Sequence, residues 1–173
     1  MEDLLNHANQ IRIDATYSGR AHYKASDFAF NKKYVIGVPT VISSSIVATS
    51  IFSSLTTQPG IFQQVVTGFL SMVTAILSAL QTFYNFSDTA EKHRVAGAKY
   101  SILRRDLDMY LLKYNNGLGS IEDALAELKA LSDRLSLLGL ESPSIPDRAF
   151  DKAVKELSLK GSNPTSVGTN IVK

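Results

Sequence analysis

Residues 34–87 read YVIGVPTVISSSIVATSIFSSLTTQPGIFQQVVTGFLSMVTAILSALQTFYNFS and contain no Asp, Glu, Lys, Arg or His. All 18 Lys/Arg and all 16 Asp/Glu of the 173 residues therefore lie in the flanking segments. A helix on the surface of a soluble protein normally carries a charged face, and this stretch has none. The division indicates a central segment surrounded by lipid and two outer segments surrounded by water.

The uncharged stretch divides into two runs, 34–55 and 61–83, each long enough to cross a bilayer as a helix, since about 20 residues span a hydrocarbon core of about 30 Å. Between them, residues 56–60 (TTQPG) hold a Pro-Gly turn signal. The sequence therefore predicts a transmembrane helical hairpin over 34–87, with a bend or restart near Pro39. Sixteen Ser and Thr in the stretch leave a second interpretation, a hairpin buried in a soluble helical bundle.

Apolar and small residues at helical spacing predict one helix on each side of the hairpin. The N-terminal helix, within residues 1–33, has its seam at Leu4, Ala8, Ile11, Ala15, Ser18, His22, Ala25 and Ala29. The helix within 88–115 has its seam at Ala90, His93, Ala96, Tyr100, Leu103, Leu107, Tyr110 and Tyr114. We expect both to be cytoplasmic extensions of the hairpin.

Two short helices are predicted in the C-terminal region, 120–160. Ser120 is a suitable N-cap with Asp123 three residues later, the helix it begins is expected to end at Gly139, and Pro146 precedes the second helix. Residues 161–173 are predicted to be disordered. The fold class is thus all-α, a transmembrane hairpin extended by long cytoplasmic helices and followed by two short ones.

The distribution of positive charge predicts the orientation of the hairpin. Basic residues flank both spans and are absent from the turn between them, and such flanks face the cytoplasm. They are Arg20, Lys24, Lys32 and Lys33 before the first span and Lys92, Arg94, Lys99, Arg104 and Arg105 after the second. Because the N-terminus has no apolar signal segment, the hairpin is expected to be its own insertion signal. We predict a multi-pass protein of the cell inner membrane with both termini cytoplasmic.

Polar residues follow the second span at steps of three and four and form one stripe. The stripe consists of Gln64, Thr67, Ser71, Thr74, Ser78 and Gln81. Uncharged hydroxyl and amide groups can line a water-filled pore in an oligomer, or they can form hydrogen bonds between the two helices of the hairpin. The pattern favours neither. On the first span, Ser45, Thr49 and Ser53 form a predicted helix-contact face of small residues.

His22 and His93 should lie at the same level of the two antiparallel helices. If the turn is centred near Gln58, residues at one level have numbers that sum to about 115, as these two do. The expected role is packing and a hydrogen bond, either to a tyrosine such as Tyr17 or Tyr100 or across to the other helix. Metal binding and pH sensing are the alternatives, although two histidines alone are few ligands for a metal.

Several functional classes are not expected. The chain has no cysteine, and its formal net charge is only +2 with acids and bases interspersed, so neither a cysteine-based site nor nucleic-acid binding is predicted. Phosphate-binding loops, nucleophile elbows and zinc-protease motifs do not occur in the sequence. We therefore expect no enzyme activity, no catalytic residue, no metal and no cofactor.

The residues around the hairpin resemble those of the SLATT family, the SMODS- and SLOG-associating two-transmembrane effector domains of bacterial conflict systems. The resemblance covers about residues 10–115. It is carried before and within the first span by Tyr17, Arg20, His22, Ala25, Asn31, Ile36, Gly37 and Pro39, and after the second by Phe86, Ala90, His93, Ala96, Tyr100, Leu103 and Arg104.

The resemblance implies a membrane effector that oligomerises and forms a pore, which depolarises the membrane when a sensor reports infection. It also implies that Tyr17, Arg20, His22, Asn31, Gly37, Pro39, His93, Tyr100 and Arg104 are family-pattern positions that shape the stalk. The helices after Asn115 are too short for a nucleotide-binding module, so a separate sensor or regulatory partner is expected. The alternative function is a membrane-anchored helical interaction module without pore activity.

Overall fold

The computed structural model describes residues 1–159, which form five helices and no strand. The helices are α1 (Glu2–Ser54), α2 (Ile61–Tyr84), α3 (Phe86–Asn115), α4 (Ile121–Glu141) and α5 (Asp147–Leu159). The predicted all-α fold, with a helical hairpin and two further helices towards the C-terminus, is confirmed. The segment predicted to be disordered, 161–173, lies outside the described residues.

The chain forms two compact units. One contains Phe28–Thr89, which is the hairpin, and the other contains Met1–Asp27 together with the chain from Ala90 onwards, which we call the bundle. Helix α1 contributes its first half to the bundle and its second half to the hairpin.

In the hairpin, α1 continues through Pro39 as one helix, so the predicted restart there was wrong. Proline removes one backbone donor, but helices in apolar surroundings tolerate it where neighbouring groups bond to the backbone. The carbonyl that loses its helical partner is that of Val35, and beside it the Thr40 hydroxyl donates to the Ile36 carbonyl at 2.7 Å. After α1 ends, residues 55–60 make the turn, and Gly60 in an extended conformation precedes α2.

Asn85 separates α2 from α3. Its φ of 37° and ψ of 57° place it in the left-handed region, which Asn tolerates better than most residues. Its backbone N–H donates to the Gln81 carbonyl and ends α2, while its own carbonyl accepts from the Thr89 N–H in the first turn of α3. Helix α3 begins at Phe86 and runs through Ser87 without a break.

The bundle has an apolar core built from α1, α3 and α4. Its buried members from α1 are Ala8, Ile11 and Ala15, those from α3 are Tyr100, Leu103, Leu107, Tyr110 and Tyr114, and those from α4 are Ala124, Leu128 and Leu138. Most of these positions are the predicted seam residues of α1 and α3. Helix α5 adds two fully buried residues, Ala149 and Ala153.

Three ion pairs connect α3 to the antiparallel α4. They are Lys99–Glu141 at 3.1 Å, Asp106–Arg134 at 2.5 Å and Lys113–Glu127 at 2.9 Å. Their members are seven residues apart on each helix, so the pairs form one line, which we call the ladder. Exposed pairs of this kind each stabilise little, but together they mark the register of the two helices.

The ends of α4 show one confirmed and one wrong prediction. Ser120 and Asp123 form the capping box that their spacing predicted, because the Ser120 hydroxyl accepts from the Asp123 N–H and the Asp123 carboxylate accepts from the Ser120 N–H. Gly139 does not end the helix, which continues to Glu141.

Candidate functional site

The two helices of the hairpin meet through polar side chains. The Thr74 hydroxyl lies 2.8 Å from the Ser43 hydroxyl, and the Gln81 amide donates to the Thr40 hydroxyl oxygen at 3.1 Å. Thr40 and Ser43 are buried, whereas Thr74 and Gln81 are half-buried. Hydrogen bonds of this kind are how helices associate where no hydrophobic driving force acts between them.

The predicted pore-lining residues differ in their surroundings within this single chain. Thr67, Ser71, Thr74 and Gln81 are half-buried, while Gln64 and Ser78 are exposed. The Ser71 hydroxyl donates to the Thr67 carbonyl of its own helix at 2.8 Å. The stripe is therefore partly used for contact between the helices, and its role in lining a pore stays a prediction.

The predicted helix-contact face of α1 does not make the contact inside the hairpin. Ser45, Thr49 and Ser53 are exposed, and the hydroxyls of Ser45 and Thr49 donate to carbonyls four residues earlier in α1. The covered face of α1 instead carries Thr40 and Ser43, which at about 100° per residue lie nearly half a turn away. Contact of the exposed face with another chain stays a prediction.

Near the turn, residues of both helices line an open cleft of about 350 Å³. Its lining residues are Ser50, Ile51, Ser54, Pro59, Gln63, Gln64 and Thr67. A volume of that size holds several water molecules, each of which takes about 30 Å³ in the liquid. Two of the six stripe residues, Gln64 and Thr67, thus line a space that water can enter.

Large apolar side chains of the hairpin are exposed on both helices. Only 11% of the most apolar 18-residue stretch of α1 is buried, and none of the corresponding stretch of the helix that begins at Ile61. On the side of α2 opposite the polar stripe, Phe69, Ile76, Leu80 and Phe83 are exposed, and Val73 is half-buried. Both helices are long and apolar enough to cross a membrane. A core hairpin of a soluble bundle would have these side chains covered.

In the bundle, His22 and His93 contact each other as their numbering predicted. Their Nδ1 atoms are 3.0 Å apart, so one ring donates its proton to the other, and both side chains are buried. The His22 ring also stacks on Tyr100, with 5.4 Å between ring centroids and 19° between the planes. The predicted hydrogen bond across the two helices is confirmed.

Glycines let α1 and α3 approach closely next to this histidine pair. A Cβ atom built on Gly97 would lie 3.2 Å from the Gly19 carbonyl oxygen and 3.2 Å from the Tyr23 ring. On the other side of the pair, the Ser26 hydroxyl donates to the Ala90 carbonyl at 2.8 Å. The two helices are thus held at short distance both before and after the histidines.

Burial keeps the histidine pair neutral. Burial, and after it the charge of His93, lowers the pKa of His22 to about 4. Burial also lowers the pKa of His93. Neither ring bonds to a carboxylate among the described residues that could stabilise an imidazolium, and the described residues contain no group of three or more His, Cys, Asp or Glu able to hold a metal ion.

Comparison with known families identifies the chain. The model of the SMODS and SLOG-associating 2TM effector domain family 4 matches residues 4–165. The chain belongs to the SLATT family. No curated protein and no solved structure matches it. SLATT domains are two-transmembrane effector domains associated with conflict systems, so the exposed apolar hairpin is the membrane part of this protein.

The SLATT match extends beyond the 10–115 resemblance seen in the sequence. It includes all of α4 and α5, so these helices are part of the family domain. The structure shows one way in which α5 is held: Glu156 pairs with Arg20 and, at 2.8 Å, with Lys24 of α1. Lys24 and Arg20 lower the pKa of Glu156 to about 2.

The nine family-pattern positions have different surroundings in this SLATT protein. Tyr17, His22, His93 and Tyr100 are buried in the bundle, and Arg20 pairs with α5. Gly37 lies on the covered face of α1, where an added Cβ would be 3.5 Å from the Gln81 amide nitrogen. The remaining three, Asn31, Pro39 and Arg104, are exposed.

Sequence reasoning missed a second stripe on α3 of this SLATT bundle. It consists of Val95, Ala98, Ile102, Arg105, Met109 and Leu112, all exposed. The steps of three and four between these residues are a signal for a second stripe. The buried seam on the opposite face of α3 has the same steps and more apolar and aromatic members, so it is the more conspicuous of the two. Only the structure shows which of the two stripes is covered.

Proposed function

We propose that this SLATT protein is a membrane effector of a bacterial conflict system, which oligomerises and forms an ion-conducting pore. The observation that carries the proposal is the distribution of polarity in the hairpin. Hydroxyl and amide groups are gathered on one face of α2, while large apolar side chains of both helices are exposed. Opening of the pore would depolarise the membrane when a separate sensor activates the protein.

A single two-helix hairpin cannot enclose a water-filled path, so several copies are needed. In the single chain, Thr74 and Gln81 bond to Ser43 and Thr40 of α1. In the open pore, the stripe of α2 would exchange these bonds for contact with water. Uncharged polar groups make that exchange at lower cost than buried charges would. The cleft at Gln64 and Thr67 supports a path that begins at the turn.

We further propose that the protein lies in the inner membrane with both termini in the cytoplasm. Basic residues flank the hairpin on both sides, and the turn at residues 55–60 carries no charge. The proposal assigns no catalytic residue. Its partners are the lipid bilayer, further copies of this chain and a regulatory protein.

Ion flux through liposomes tests the pore. We expect the full chain, reconstituted in vesicles at a density high enough for copies to assemble without the sensor, to dissipate a potassium gradient. The double substitution Ser71→Leu, Thr74→Leu should abolish the leak. Leucine replaces the hydroxyls in the middle of the stripe with apolar groups that water and ions do not solvate. Insertion should be unchanged, because both substitutions increase the apolar character of α2. The measurement is the fluorescence of a potential-sensitive dye.

The matched control is Ser44→Leu. Ser44 is exposed on α1, away from the stripe of α2, and its hydroxyl donates to the Thr40 carbonyl of its own helix. It should leave the leak unchanged. Equal leak from the double variant and the unmodified chain, at equal insertion, would reject the pore assignment.

A second candidate function is supported by the same contacts. Because Thr74 and Gln81 already bond to α1, the hairpin could serve only as an anchor for a bundle that docks a partner. In that case, vesicles containing the unmodified chain at the same density would show no leak. The flux measurement therefore separates the two functions.

A further inference from the structure

Helix α3 presents an apolar stripe on the side opposite to its buried seam. The stripe named above runs from Val95 to Leu112 in alternating steps of three and four, which is the spacing of a coiled-coil seam. Its most exposed apolar side chains, Met109 and Leu112, are 65% and 59% exposed. An apolar stripe this long is unusual on a face in contact with water, and it indicates a partner helix.

The ladder shows which residues of α4 share this face. Successive residues of a helix are turned by about 100° around its axis. By this measure, the core residues Tyr100, Leu103 and Leu107 of α3 lie on one side of the ladder, and the exposed stripe of α3 lies on the other side. On α4, the corresponding side beyond the ladder carries Ala126, Ala130, Asp133 and Leu137, all exposed. We call these four residues and the α3 stripe together the outer face.

The outer face has two charged residues of opposite sign, Arg105 and Asp133. Neither forms an ion pair in the described chain, although the neighbouring residues Asp106 and Arg134 pair with each other. The two members of each ladder pair have numbers that sum to 240, and the numbers of Arg105 and Asp133 sum to 238, so these two residues lie at nearly the same level. They point away from the line of contact between the helices.

We propose that a second copy of this chain covers the outer face. A two-fold axis parallel to the helices places α3 of one copy against α4 of the other. Each residue keeps its level under this rotation, so Arg105 meets the partner's Asp133, and Asp133 meets the partner's Arg105. The same patch then serves both copies, as a two-fold interface requires. This contact deepens the oligomerisation in the proposed function and rests on it.

The charges of Arg105 and Asp133 favour contact between α3 and the partner's α4 over contact between two like helices. With α3 against α3, two Arg105 side chains would meet inside an apolar contact, and with α4 against α4, two Asp133 side chains would meet. Like charges brought together in this way disfavour association strongly. The small side chains Ala126 and Ala130 on α4 leave space opposite the larger residues Met109 and Leu112 of α3.

Disulfide cross-linking tests the contact in the full chain in membranes. The sequence has no cysteine, so each introduced thiol is unique. One tagged chain carries Ile102→Cys and a differently tagged chain carries Leu137→Cys, two exposed positions at one level of the outer face. We expect a mixed disulfide dimer under mild oxidation. Lys155→Cys on α5, also exposed, replaces Leu137→Cys in the control and should give none.

Charge exchange makes the test specific. Arg105→Asp in both chains should lower the yield of the mixed dimer about tenfold or more, because Asp then faces Asp. Asp133→Arg in both chains should do the same. When Arg105→Asp is placed in the chain with Ile102→Cys and Asp133→Arg in the chain with Leu137→Cys, the yield should return, since both contacts again join opposite charges.

The pattern of rescue distinguishes the contact from a folding defect, which mixing cannot repair. Absence of the mixed dimer, an unchanged yield in either single exchange, or no recovery on mixing would each overturn the proposal. Cross-linking does not depend on ion flux. If the cross-linked dimer forms but the vesicles do not leak, the interface is supported and the pore is rejected. If the vesicles leak but this dimer does not form, the pore is supported and the interface is rejected.

Discussion

Replacing Gly97 with Val is expected to lower the free energy of unfolding by about 2 to 3 kcal/mol, at the upper end of what overpacking usually costs. A Cβ at this position already lies 3.2 Å from the Gly19 carbonyl oxygen, and backbone cannot rotate away as a side chain can. The two methyl groups of Val would push α1 and α3 apart beside the histidine pair. Denaturant unfolding of the full chain in detergent, followed by circular dichroism, measures the change.

Gly139→Val is the matched control. Gly139 also lies inside a helix, α4, but an added Cβ there has no neighbour within 4 Å. Val has a somewhat higher helix propensity than Gly, so the control variant should be as stable as the unmodified chain or slightly more stable. If both substitutions changed the free energy of unfolding equally, close approach of the helices at Gly97 would not be the cause.

Acidification is expected to destabilise the bundle through the histidine pair. Burial, followed by the charge of His93, lowers the pKa of His22 to about 4, from an ordinary value near 6.5. Between these two values the unfolded chain binds a proton that the folded chain does not, so stability is complete above about pH 6.5 and is lost as the pH falls towards about 4. One such group changes the free energy of unfolding by about 1.4 kcal/mol per pH unit.

We therefore expect a loss of about 2 kcal/mol between pH 6.5 and pH 5, measured by the same unfolding experiment. The groups that face the pair support this direction. Tyr100 stacks on His22, and no carboxylate bonds to either ring in the described chain. The first proton could be shared between the two Nδ1 atoms, but its charge would still be buried.

Two variants show whether the pair is responsible. His22→Leu with His93→Leu removes both polar partners together, which a core tolerates better than removal of one, and it should flatten the pH dependence. His7→Gln changes an exposed histidine of α1 and should preserve the dependence. A slope that persists in the double Leu variant would assign it to other groups.

Several features of the fold could be predicted because they depend on residues close in sequence. The Pro-Gly turn, the capping box at Ser120 and the seams of α1 and α3 follow from local chemistry and helical spacing. The level of His22 opposite His93 follows from the turn position and from equal rise along two antiparallel helices. Pro39 and Gly139 misled the prediction, because both residues usually interrupt helices and neither does so here.

The candidate site was less predictable, since it depends on which of two similar faces is covered. The first span has small polar residues on more than one face, and the structure uses Thr40 and Ser43, not Ser45 and Thr49, against α2. Likewise, α3 has two stripes at helical spacing, and α4 covers one edge of the helix through the ladder. Spacing defines a stripe but does not identify its partner.

That this protein is helical, that its middle third is uncharged and long enough to cross a membrane twice, and that two histidines share one level could all be read from the residues alone. These properties follow from composition and from the regular geometry of a helix. Three other facts are visible only in the folded chain: Thr74 and Gln81 bond to α1, Gly97 lies close to the Gly19 backbone, and Arg105 and Asp133 are left on an uncovered face. Such contacts depend on the rotation of each helix about its own axis, which is set by its packing against the other helices.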